Sequence, residues 1–160
     1  MDKTGKLVMM NKNTLQINKQ DGSVTIKNYP IILKKGTTRE EIGTVLTPLY
    51  RSNIDYKNGT EWMFFEDIEF SECPCTLGLY IDNGILTEVK ITIVPAHSDR
   101  SAAGWSSNAT VDEAVLLALI EYRIQLGRPF KDEKEFFDWG EVWCLPDYKR
   151  SEMNSGIKYK

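Results

Sequence analysis

The chain has 160 residues, 41% hydrophobic and 27% charged, with a net charge of −3 and three cysteines. These figures fit one globular domain spanning 1–160. They exclude a low-complexity chain, a disulfide framework and a membrane helix, since no apolar run reaches the roughly 18 residues a span needs. The N-terminal "MDKTGKLVMMNKN" lacks a signal peptide's apolar core and cleavage site, so a cytoplasmic location is expected.

The first third reads as strands. In "NTLQINKQDGSVTIKN", Asp21-Gly22 is a two-residue hairpin signal that pairs Ile17 with Ile26 on one face. "TTREEIGTVL" follows as a short helix near 38–47. Thr38 with Glu41, or Thr37 with Glu40, forms its capping box, Ile42, Val45, Leu46 and Leu49 form its apolar stripe, and Pro48 ends it. In "EWMFFEDIEF", alternation puts Trp62, Phe64, Ile68 and Phe70 on one face and Met63 and Phe65 on the other. That pattern implies a strand covered on both sides.

"TLGLYIDNGILTEVKITIV" is the clearest hairpin. A two-residue Asn83-Gly84 loop sets Leu79 against Glu88 and Leu77 against Lys90. A three-residue loop, Asp82-Asn83-Gly84, pairs Ile81 with Ile85, Leu79 with Thr87 and Leu77 with Val89, so the longer loop is expected. Extended backwards, it brings Cys75 near Ile91 and Cys73 near Ile93. Both thiols of "SECPC" then continue an apolar face as small core residues. The four residues Cys73, Cys75, His97 and Cys144 match the ligand count of a structural zinc. Cys-x-Cys spacing and two isolated further ligands argue against it, and no metal or cofactor is expected.

After Pro95, "AHSDRSAAGWSSNA" is a long small-polar loop. "TVDEAVLLALIEYRIQLG" is the main helix, 110–126, opened by a Thr110–Glu113 capping box and stopped by Gly127. Its apolar coverage is nearly all round, with Glu121 and Gln125 as the wet edge. The tail reads as a helical turn at "DEKEFF", a strand "GEVWCL", a polar turn and a short final strand "GIKYK".

Charge is uneven. Residues 1–35 sum to +5 and the remainder to −8. Acids gather first at Glu61, Glu66, Asp67, Glu69 and Glu72, then at Asp132, Glu133, Glu135, Asp138 and Glu141. Such strips are solvated faces or a surface that steers a basic partner. The N-terminal lysines come with few arginines and a single aromatic, Tyr29, so they suit edge-strand protection better than nucleic-acid binding. His97 is the sole imidazole, and no neighbouring serine lies in a nucleophile elbow. A small enzyme with its site in the 95–109 loop around His97 is the alternative from another class, and a ligand-binding or structural domain is the third. Trp105, Trp139 and Trp143 lie beside acids or in the loop, as core residues or as interface anchors.

Two resemblances bear on function. "KKGTTREEIGTVL" with the aromatic strands and the "LGLYIDNGILTEVKITI" hairpin, residues 34–94, is similar to the helix-then-sheet module of β-lactamase inhibitor protein and of the small lipoprotein of the outer-membrane barrel-assembly machine. The whole chain, through "FDWGEVWCLPDYKRSEMNSGIKYK", resembles the small acidic immunity proteins that bacteria encode beside toxin genes, including those of contact-dependent inhibition. The second resemblance implies a non-catalytic cytoplasmic module that blocks a toxin domain, basic nucleases being common among such toxins.

The expected fold is α+β, a mainly antiparallel sheet of about six to eight strands packed on one long and one short helix. The expected partner is a protein, a basic toxin domain, with no nucleic acid and no membrane. The expected contacts are Glu66, Asp67, Glu69 and Glu72, or Asp132, Glu133, Glu135, Asp138 and Glu141, with Trp105 and Trp139 as anchors.

Overall fold

The structure, a computed structural model, describes residues 12–94 and 108–160. His97 and Trp105 lie outside the described residues. The fold is α+β, and the described residues form ten strands in two antiparallel sheets and two α-helices. Strands β1 (Leu15–Ile17), β2 (Val24–Ile26) and β3 (Ile32–Leu33) form a small sheet. The large sheet has seven strands: β4 (Tyr50–Asp55), β5 (Thr60–Phe70), β6 (Cys73–Asp82), β7 (Ile85–Ile93), β8 (Lys134–Phe137), β9 (Gly140–Asp147) and β10 (Glu152–Tyr159). Its order is β4-β5-β6-β7-β10-β9-β8. Helix α1 spans Arg39–Val45, a 3₁₀ turn covers Thr47–Leu49, and α2 spans Asn108–Leu126.

Local sequence explains the starts and stops. Thr38 caps α1, its hydroxyl accepting from Glu41 N at 3.2 Å. Gly127 follows α2 at φ 81°, a left-handed position that costs glycine nothing.

Several registers differ from the alternation reading, each for a visible reason. The first hairpin pairs Ile17 with Val24 and Leu15 with Ile26. Its turn is longer than Asp21-Gly22 alone, with Asn18 N donating to Ser23 O, because the Asp21 carboxylate accepts from both the Ser23 amide and its hydroxyl. The shift is two residues, so Leu15, Ile17, Val24 and Ile26 still share the buried face.

The Asp82–Ile85 hairpin closes through two residues, Asn83 and Gly84, both at positive φ (50° and 84°). A bulge after Tyr80 then sets apolar residues opposite one another, two positions on from the expected pairs: Leu79 with Val89, Leu77 with Ile91 and Cys75 with Ile93. Cys73, Cys75 and Cys144 are free, buried thiols. In β5 a second bulge between Phe65 and Ile68, with Asp67 at φ 66°, flips the alternation. Met63, Phe65, Ile68 and Phe70 therefore share the buried face, while Trp62 and Phe64 stay half-exposed on the other.

"KEFF" is strand β8, not a helical turn, and β10 runs eight residues. Helix α2 is not buried all round. Val111, Ala114, Ala118, Tyr122 and Leu126 pack inward, while Leu116, Ile120 and Ile124 are exposed. The supposed wet edge is partly a joint: Gln125 Oε1 accepts from Ile17 N, and its Nε2 donates to Glu121.

Among the described residues, the packed layer lies on one face of the large sheet. Helix α2 crosses β9 and β10 there, and the small sheet lies beside it. The buried Tyr159 hydroxyl ties the two sheets together by donating to Gly22 O at 2.8 Å. A buried hydroxyl chain fixes the helix: Tyr122 lies 2.7 Å from Ser155, whose Oγ donates to Ile91 O at 2.6 Å. Ser155's single hydrogen is thereby committed, so Tyr122 is the donor of the first bond.

Candidate partner-binding surface

The opposite face of the seven-stranded sheet carries no helix or second sheet among the described residues. The strand registers read as rows across it. One row runs Ile54, Trp62, Tyr80, Glu88, Lys158, Glu141 and Phe136. The next runs Ser52, Phe64, Gly78, Lys90, Gly156, Trp143 and Lys134.

Aromatic rings cluster on this face. Trp62 stacks on Phe64 with centroids 6.1 Å apart and leans on Tyr80 at 5.0 Å. Trp143 lies over Gly156, where an added Cβ would come within 2.7 Å of the indole, and its Nε1 donates to Asn154 Oδ1 at 2.7 Å. Glycine is what lets a ring lie flat on the sheet at this point. The charges between the rings alternate in sign. Glu88 sits between Lys158 and Lys90, and its burial raises its carboxyl above the ordinary value.

The acids expected to bind a partner do not form one patch. Glu66 and Asp67 occupy the β5 bulge, and Glu72 lies in the β5–β6 turn at φ 60°. Glu66 approaches Arg51 at 3.8 Å, and Glu69 pairs with Lys12 at 3.5 Å. The second group follows the far edge. Asp132 and Glu133 precede β8, Asp138 lies in the β8–β9 turn, Glu135 pairs with Arg128 at 3.6 Å, and Glu141 with Lys134 at 3.5 Å. Five strand spacings, about 24 Å, separate β5 from β8. The two groups therefore flank the open face from opposite sides.

Trp139 serves the core more than the surface. It stacks on Phe137 (4.6 Å, 13°) and roofs Gly22, and its indole donates to Lys19 O at 3.2 Å. It clamps the first hairpin onto the large sheet.

Sequence reasoning missed Trp62, Phe64 and Tyr80 as surface groups. Alternation put the first two on the face of Ile68 and Phe70, and the bulge turns them to the opposite face, which the described residues leave uncovered. The polar set Thr76, Gly78 and Tyr80, facing Thr92, Lys90 and Glu88, was the available signal.

Among the described residues, no group of three or more His, Cys, Asp or Glu is placed to hold a metal ion. No helix among them is long and apolar enough to cross a membrane. Comparison with known protein families, characterised proteins and solved structures finds no match to this chain. The fold and surface together define an α+β protein with an antiparallel sheet that the described residues cover on one face.

Proposed function

We propose that the protein is a non-catalytic protein-binding module, a cytoplasmic immunity protein that neutralises a basic toxin domain by covering it with the open sheet face. The observation that carries this reading is the rigid, half-exposed aromatic cluster Trp62–Phe64–Tyr80, with Trp143 across the sheet. Aromatic side chains held on strands give large contact area at small entropic cost, and Trp and Tyr dominate the energetics of many interfaces. Size agrees. Six strand spacings span about 29 Å, and ladders of unequal length make the face a ragged patch of roughly 600 Å², the order of one partner's share of a standard interface. The acidic groups at its two margins add long-range attraction for a basic partner.

The test is co-expression with the basic polypeptide encoded beside the gene, scored by growth and by co-purification. Trp62→Ala combined with Tyr80→Ala should abolish both protection and the complex in a protein that still folds, destabilised by only about 1 to 3 kcal/mol through the lost ring pairs. Charge reversal of Glu66, Asp67 and Glu72, or of Asp132, Glu133 and Asp138, should slow association and flatten its salt dependence. Full protection by the aromatic double variant overturns the reading. Loss of activity in His97→Ala, with the aromatic face intact, supports the alternative of an enzyme instead.

A further inference from the structure

One part of the open face is neither flat nor aromatic. Below the Trp62–Tyr80 row lies a trough of about 370 Å³. Its floor is made by small residues. Gly78 contributes no side chain, and Thr76 and Thr92 are direct cross-strand partners. The Phe64 ring forms one wall, and the stem of Lys90 another. Ser52 and two guanidinium-bearing residues also line it, Arg51 from the β4 bulge and Arg150 from the β9–β10 turn. Among the described residues, Glu152 is the one acid in the lining. Three cations thus line the trough, with Glu66 and Asp147 approaching the two arginines from outside it.

The three cations have carboxylates nearby, but none is closely held. Lys90 Nζ lies 3.9 Å from Glu152, Arg51 Nε 3.8 Å from Glu66, and Arg150 Nε 3.8 Å from Asp147. These separations exceed hydrogen-bond length, and the arginine side chains are more than half exposed. The two loose arginine pairs, being exposed, contribute little and are readily exchanged for a better acceptor, whereas Lys90 and Glu152 are half-buried. A carboxylate can accept two parallel hydrogen bonds from one guanidinium, a geometry that none of the present contacts provides.

We propose that the trough is a receptor for a single carboxylate presented by the protein partner, from an Asp or Glu side chain or from a chain terminus. The carboxylate enters between Arg51 and Arg150, meets the Lys90 ammonium, and finds the Thr76 and Thr92 hydroxyls at the floor. The apolar part of the same segment then lies on Phe64 and Trp62. This gives the contact a fixed register, whereas the acidic margins supply attraction without register. It rests on the reading of the open face as a protein-binding surface, and its test does not require the partner.

The experiment is a ¹H–¹⁵N titration of the protein with three probes: N-acetyl-glutamate α-amide, N-acetyl-alanine, and the neutral N-acetyl-glutamine amide. Expected are saturable shifts at the Gly78, Lys90 and Thr92 amides with one or both acids, and none with the neutral probe. Preference between the two acids identifies a side-chain or a terminal carboxylate. Lys90→Met with Arg150→Gln should weaken binding at least ~10-fold with the rest of the spectrum unchanged, and raising salt several-fold should weaken it too. No saturable shift, equal shifts with the neutral probe, or undiminished binding by the double variant overturns the proposal. A failed titration leaves the aromatic-face test untouched, and a failed toxin test leaves the titration to stand on its own.

Discussion

Replacing Ser155 by Ala should destabilise the protein more than replacing Tyr122 by Phe, although the second removes the same hydrogen bond. Both side chains are fully buried. Ser155 accepts from Tyr122 and donates to the Ile91 carbonyl. The register between β7 and β10 ends at the Lys90–Gly156 pair, so the serine hydroxyl serves a carbonyl just beyond it. Tyr122→Phe removes one donor and leaves Ser155 still bonded to Ile91, a loss of about 1 kcal/mol. Ser155→Ala strands a buried phenol and deprives the carbonyl of its side-chain donor, which should cost about 3 kcal/mol. The double variant strands only the carbonyl and should cost about 2 kcal/mol, less than the sum of the two. In a protein of this size the serine variant should lower the thermal midpoint by about 9 °C. Urea unfolding of the four proteins measures the cycle. A serine cost no larger than the tyrosine cost, or additive effects, would show that the chain does not secure the helix as described.

The two glycines of one row should respond differently. At Gly156 an added Cβ would lie 2.2 Å from Val89 O, a backbone atom, so Gly156→Ala should cost about 3 kcal/mol or more. At Gly78 the nearest atoms are 3.2 to 3.4 Å away and belong to side chains, so Gly78→Ala should cost within about 1 kcal/mol; the reverse order in chemical denaturation refutes this. Thr38→Ala removes the α1 cap and should cost about 1 kcal/mol, with increased hydrogen exchange confined to residues 39–45 as its signature. Alkaline stability follows from the thiols. Burial raises Cys144 from the ordinary 9.0 to about 12, and burial raises Cys75 as well. The unfolded chain therefore loses these protons first. The stabilisation is complete below pH 9 and is lost as pH rises from 9 towards 12, about 2 kcal/mol per thiol by pH 10.5. Urea midpoints at pH 8 and 10.5 should show this fall, and Cys144→Ala should make it shallower; an unchanged slope refutes the burial argument.

Which residues face inward was largely legible in the sequence. Leu77, Leu79, Ile81, Val89, Ile91 and Ile93 alternate, and all six are buried on one face with Cys73 and Cys75 continuing it. The Thr38 cap and the Gly127 stop were also legible, because they depend on residues within one helical turn. The loop lengths were not. A two-residue turn at Asn83-Gly84 conflicts with the apolar pairing unless a bulge follows it, and alternation carries no sign of that bulge. In β5 the same omission placed Trp62 and Phe64 in the core.

The open face itself could not be read from any one segment. A half-polar row on β6 or β7 looks the same whether another layer covers it or not. Coverage is decided by where α2 and the small sheet pack, and by bonds between residues more than a hundred positions apart, such as Ile17 to Gln125 and Tyr159 to Gly22. Periodicity sets which side of a strand is apolar, because burying a whole face outweighs any single turn. Tertiary packing alone decides which of the two faces is covered.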